Sequence, residues 1–138
     1  MTNEAICYEK PTMFRRYTVS SAAAIPKGSI LRLDTPNTAI VYNSYTGTSA
    51  VGGIAWMEKV ASPTDNSTEI VAALDGTWGM VASTGGACNI GYDVTPCGDN
   101  KVRNYTTLND EKGYVLGKFL ETIGTSGAVV KVKLNLKR

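Results

Sequence analysis

The stretch Gly127-Ala128-Val129-Val130-Lys131-Val132-Lys133-Leu134-Asn135-Leu136 alternates almost without fault. Val130, Val132, Leu134 and Leu136 fall on one face, and Lys131, Lys133 and Asn135 on the other. A period of two is what a half-buried strand requires, since successive side chains point to opposite sides of the pleat. The same texture recurs upstream in short runs separated by turn residues: Ser29–Leu33 after Pro26-Lys27-Gly28, then Thr38–Tyr42, Val51–Val60, Thr68–Leu74, Thr77–Ala82, Asn89–Thr95, Lys101–Tyr105 and Tyr114–Leu120. Many short strands at such spacing predict a barrel or sandwich. Gly52-Gly53 inside an apolar run predicts a bulge or a close backbone approach, and Asp75-Gly76 reads as a tight hairpin turn. The one helical candidate is Thr107–Lys112, closed by Gly113.

Composition agrees. Of 138 residues, 34 are Thr, Ser or Asn and 14 are Gly, while charged residues make up 19%. This mixture favours strands and turns over long helices. Lys and Arg number 14 against 12 Asp and Glu, too even for a general polyanion binder. The charge is unevenly spread: residues 22–111 hold five basic and nine acidic groups, whereas 112–138 hold six basic and one acidic. Such asymmetry favours oriented docking on a charged partner.

The chain has no histidine. That removes Ser-His-Asp and Cys-His catalytic pairs and imidazole metal ligands. Cys7, Cys88 and Cys97 lack a metal-binding spacing and, being three, do not make a disulfide framework; they read as thiols, although Cys88 and Cys97 are close enough to meet. No spacing selects a pair of carboxylates, and neither Gly85-Gly86 nor Gly124–Gly127 forms a phosphate loop. Asp93 and Asp99-Asn100 lack the rest of a calcium loop. No catalytic residue, cofactor or metal site is therefore expected. No apolar run is long enough for a helical membrane span, and Met1–Ala5 does not begin like a secretory signal.

Residues 1–25 follow neither strand nor helix period, yet hold Tyr8, Pro11, Phe14, Arg15, Arg16 and Tyr17. Aromatics and arginines without periodicity are typical interface anchors, so the segment is expected to be an N-terminal arm that packs on another surface. Trp56 and Trp78 sit in apolar strands and are expected in the core or between subunits.

The order of motifs resembles the capsid cement, or head decoration, proteins of tailed bacteriophages. The pieces are Gly53-Ile54-Ala55-Trp56 through Glu69-Ile70-Val71-Ala72, then Asp75-Gly76-Thr77-Trp78-Gly79-Met80-Val81, Gly91-Tyr92-Asp93-Val94, and Gly117-Lys118-Phe119-Leu120-Glu121 through Val130-Lys131-Val132. The likeness spans roughly residues 26–136, and the chain departs from it in its longer N-terminal segment and its cysteines. It implies a mainly β, compact barrel or β-tulip-like domain over 26–138, with an extended arm over 1–25 and one short helix. It also implies a non-enzymatic homotrimer made in a host cytoplasm. Such a protein sits on the outer face of a virion capsid, bridges neighbouring major capsid subunits and has no specific nucleic acid or membrane partner. Two alternatives remain open: a tail or spike structural module, and a nucleic-acid- or sugar-binding barrel using Trp56, Trp78 and the basic last strand.

Overall fold

A computed structural model of the chain describes residues 3–35, 37–41, 50–83, 87–98, 100–105 and 115–136. It holds strands β1 (Ile6–Glu9), β2 (Phe14–Thr18), β3 (Ile30–Thr35), β4 (Thr38–Val41), β5 (Val51–Ala55), β6 (Glu69–Ala73), β7 (Asp75–Ala82), β8 (Asp93–Pro96), β9 (Lys101–Asn104), β10 (Gly117–Phe119) and β11 (Val129–Asn135). The mainly-β expectation holds, and no helix occurs among the described residues. The predicted helix over 107–112, with its Gly113 cap, lies outside them.

The strands close into two small barrels rather than one. The first runs β2-β4-β3-β5-β6, with β6 returning to β2. The second runs β7-β11-β10-β8-β9 and is closed by a parallel pairing of β9 with β7 at Val81↔Lys101 and Ala82↔Val102. Closure removes the free edges that would otherwise invite aggregation. Strand β1 lies beside β9 on the same edge of β7, paired at Ile6↔Gly79 and Cys7↔Trp78.

Alternation explains how the barrels join. Tyr17, Leu31, Ala55, Ile70 and Ala72 point into the first barrel. Their neighbours Ile30, Ile54 and Ala73 point out of it and merge with Trp78, Met80, Val94, Phe119, Val130, Val132 and Leu134 of the second. Strand β5 is accordingly buried at all five positions, which is why its sequence does not alternate. In β11 the predicted split is observed: Val130, Val132 and Leu134 are fully buried, while Lys131, Lys133 and Asn135 are exposed.

The Gly52-Gly53 interruption produces the expected irregularity, a register shift between Leu31 and Arg32 opposite it. Gly53 has φ +130°, and a Cβ there would lie 2.6 Å from the Ala73 carbonyl oxygen. Asp75-Gly76 differs from its expected role. It is no hairpin, because β6 and β7 belong to different barrels and the chain crosses between them at Leu74. Gly76 is needed for a close approach: a Cβ would lie 2.7 Å from the Glu9 carbonyl oxygen.

The segment expected as an arm also differs. It supplies β1 to the second barrel and β2 to the first, and Tyr17 is 1% exposed, its hydroxyl donating to the Gly52 carbonyl at 2.8 Å. A four-residue and a five-residue strand, joined by a buried Pro11, are too short to display a period. The linker is stapled at the inter-barrel crossing. The Asp75 carboxylate accepts from the Thr12 amide at 2.7 Å, the Thr12 hydroxyl at 2.6 Å and the Met13 amide at 3.0 Å.

Burial pushes the Asp75 carboxyl up, but the Thr12 and Met13 hydrogen bonds and the charge of Lys133 outweigh it and hold it below its ordinary value. A folded pKa below the unfolded one, ~3.9 for Asp, adds stability above that value and loses it as pH falls through the folded pKa. Asp75→Ala should therefore cost about 1–2 kcal/mol near neutrality, after allowance for partial exposure. Urea titrations of the two proteins should converge below about pH 4; a gap that does not narrow there would show that ionisation of Asp75 is not its source.

Candidate interaction surface

Strand β2 runs antiparallel to β6, with Phe14 opposite Ala73, Arg15 opposite Ala72 and Arg16 opposite Val71. Alternation turns Tyr17 inward and leaves Phe14 and Arg16 on the outside of the barrel. Beside them the chain leaves β5 at Trp56. The Phe14 and Trp56 rings are 5.6 Å apart and tilted by 59°, and Trp56 meets Trp78 edge-on at 6.1 Å. An aromatic chain thus runs from Phe14, 45% exposed, through half-buried Trp56 to Trp78, 1% exposed in the core. Such tilted and edge-to-face contacts are the favoured aromatic geometries. The Trp78 indole N–H donates to the Asp75 carbonyl at 3.0 Å, so its burial leaves no orphaned donor.

Around this chain lies a cleft of about 350 Å³ lined by Phe14, Arg15, Arg16, Trp56 and Val71. Its lining sets Arg15 and Arg16 beside apolar Phe14, Trp56 and Val71. The Lys27 ammonium is 5.2 Å from the Trp56 ring, and the Arg15 guanidinium is 5.7 Å from the Tyr17 ring. Among the described residues no carboxylate forms an ion pair with Arg15, Arg16 or Lys27.

The structure brings some of the sequence-selected residues together and separates others. Phe14, Arg15, Arg16 and Trp56 meet in the cleft. Pro11 and Tyr17 are buried. Tyr8 lies apart, on the outer face of the second barrel, with its ring over Gly79 and the Lys131 ammonium 5.6 Å away. Lys27 and Val71 were not singled out in the sequence. Lys27 sits in a turn whose docking against Trp56 depends on the Gly28 amide bonding to the Ala55 carbonyl, a long-range contact with no local signature.

Several polar groups elsewhere have structural partners. Asp93 pairs with Lys118 at 2.7 Å. Lys59, 3% exposed, donates to the carbonyls of Ser21, Val60 and Asp65 at 2.9–3.2 Å. No disulfide joins the cysteines. Burial, reinforced by nearby Cys97, pushes the Cys88 thiol up to about 11, so it stays protonated and poorly nucleophilic near neutrality. Among the described residues no three of Cys, Asp and Glu come together as a metal cluster.

No protein-family model and no curated protein matches the sequence. The architecture has a counterpart among solved structures, the N base of head fiber gp8.5 of bacteriophage phi29. It superposes with a TM-score of 0.52, at 15% identity, over 91% of this chain and 100% of that one. The chain has the fold of a phage head fiber base. The head fiber base matches nearly the whole of this chain, so the likeness extends over both barrels rather than one.

Proposed function

We propose that the protein is a structural component of a phage virion, carried on the outer surface of the head, where it docks on major capsid subunits and clamps neighbours together. The observation that carries this reading is the near-complete fold likeness to a head fiber base. The surface supports it: the cleft offers aromatic and arginine anchors, the side chains that dominate protein–protein hot spots. A ligand that binds only the assembled shell stabilises that shell by mass action, and a copy touching several subunits gains by multivalency. A closed trimer, built from a head-to-tail contact repeated by rotation, suits a site between three capsid subunits.

The likeness to a fiber base also favours a second reading, in which the chain is the foot of a projecting fiber or spike rather than a clamp. A nucleic-acid or sugar platform is disfavoured. Stacking needs open aromatic faces, whereas Trp78 is buried and Trp56 is engaged by Phe14, Trp78 and Lys27.

Sedimentation with phage heads stripped of accessory proteins tests the proposal. The protein should pellet with the heads, and coated heads should retain DNA to a higher temperature than bare ones. Protein left in the supernatant would refute head attachment. Pelleting with an unchanged DNA-release temperature would favour the fiber foot over the clamp. Native mass measurement should give three chains.

A further inference from the structure

We propose that the Phe14–Trp56 cleft receives an acidic, extended protein segment that carries one apolar anchor side chain. This deepens the shell-docking reading and rests on it only for which protein owns the segment. The cleft is lined by apolar Phe14, Trp56 and Val71 together with Arg15 and Arg16, Lys27 stands over the Trp56 ring, and among the described residues no carboxylate is ion-paired with these three cations. Three uncompensated cations around an apolar seat are complementary to carboxylates flanking an apolar side chain. Phe14 keeps 45% of its surface in water although it is braced from beneath by Trp56, the arrangement of a preorganised contact residue that loses little entropy on binding.

The volume, about 350 Å³, is at the low end of the ~300–1,000 Å³ typical of small binding sites. It holds an anchoring side chain and its neighbours rather than a domain. A nucleic acid would use the same cations but needs free ring faces, which Trp56 lacks. The three cations also sit at one spot on a nearly neutral chain, not along a track.

The probe is a short synthetic peptide alternating Asp and Glu with Leu, compared with its lysine counterpart and with oligothymidylate. Calorimetry on the unaltered chain gives affinity. Trp78→Phe, which leaves Trp56 as the one tryptophan, gives a fluorescence reading of the site itself. The acidic peptide should bind and the basic one should not. Raising salt to about 0.5 M should weaken binding roughly five- to tenfold, because exposed charges are then screened beyond a few ångströms. The double variant R15E/R16E should lose at least about tenfold, and Phe14→Ser a similar factor, since truncating an anchor commonly costs ~1.4 kcal/mol or more. Tyr92→Ser, at another exposed site, should change nothing.

Undiminished peptide binding by R15E/R16E, or equal binding of oligothymidylate, would overturn the assignment. The two levels separate cleanly. If the peptide binds as described while the chain ignores phage heads, the shell reading fails and the cleft assignment stands. If R15E/R16E binds the peptide undiminished and heads still capture it, the cleft assignment fails and the shell reading stands.

Discussion

Replacing Asn100 by alanine should lower the unfolding free energy by about 3–5 kcal/mol, a large share of the 5–15 kcal/mol that holds a typical domain folded. Asn100 is 2% exposed, in the turn between β8 and β9. Its side-chain oxygen accepts from the Ile30 amide at 2.7 Å, and its amide donates to the carbonyls of Gly28 at 2.9 Å and Asn3 at 2.7 Å. One side chain therefore ties the second barrel to the start of β3 in the first barrel and to the N-terminal segment. Alanine removes all three hydrogen bonds, at about 0.5–1.5 kcal/mol each, and strips the buried Ile30 amide of its side-chain acceptor, at about 1–3 kcal/mol, while the Gly28 carbonyl keeps the Ala5 amide at 3.0 Å. The change also puts alanine at φ +60°, a conformation that asparagine, with its short polar side chain, adopts more readily.

Two further variants separate these causes. Asn100→Gly relieves the backbone and should recover about 1 kcal/mol of the loss. Asn100→Asp keeps the bond from Ile30 but sets a carboxylate against two carbonyl oxygens, and should be no better than alanine. Urea denaturation at neutral pH measures all three. A loss under about 1 kcal/mol for Asn100→Ala would mean that water replaces the side chain at little cost.

Nothing in the sequence marks Asn100 for this role, and the reason is general to the molecule. What could be read in advance was local. The alternation of β11 fixes which side chains enter the core, because a strand's two faces are set by its own pleat. Gly52-Gly53 likewise announces a break within its own strand. What escaped is set by pairings across the chain. Two barrels replace a single one because β9 returns to β7 in parallel and β2 touches β4 in parallel at Thr18↔Thr38, contacts that no neighbouring residues encode. Gly76 looks identical in sequence whether it serves a turn or clears the Glu9 carbonyl. The candidate site was half visible for the same reason. Phe14, Arg15 and Arg16 are contiguous and chemically conspicuous, while Lys27, Trp56 and Val71 reach them only through the closure of the first barrel. The N-terminal segment was conspicuous for its composition, but its anchoring by Asp75, through Thr12 and Met13, spans more than sixty residues.

The same lesson gives the second large effect. Gly117→Ala should cost about 3–5 kcal/mol, beyond the 1–3 kcal/mol usual for overpacking. Gly117 lies in β10, opposite Leu134 of β11 and Val94 of β8, and it is buried. Its φ is not positive, so conformational freedom is not what demands glycine here; space is. An added Cβ would fall on the Lys133 carbonyl oxygen, within 2.9 Å of its carbon and 3.1 Å of the Leu134 Cα. These are backbone atoms in the strand whose alternating Val130, Val132 and Leu134 supply the core, so the collision cannot be relieved by turning a side chain. Strand β10 must instead shift from β11, and that loosens two ladders at once, since β10 joins β11 to β8 and completes the second barrel. Gly124→Ala is the matched control: a Cβ there meets nothing within 4 Å, and the change should stay within about 0.5 kcal/mol. Hydrogen exchange would locate the damage, with lost protection expected along β8, β10 and β11 and retained protection in β2–β6. Equal stability of the two alanine variants would show that β10 and β11 can separate at no cost, and that the second barrel is held by its side chains alone.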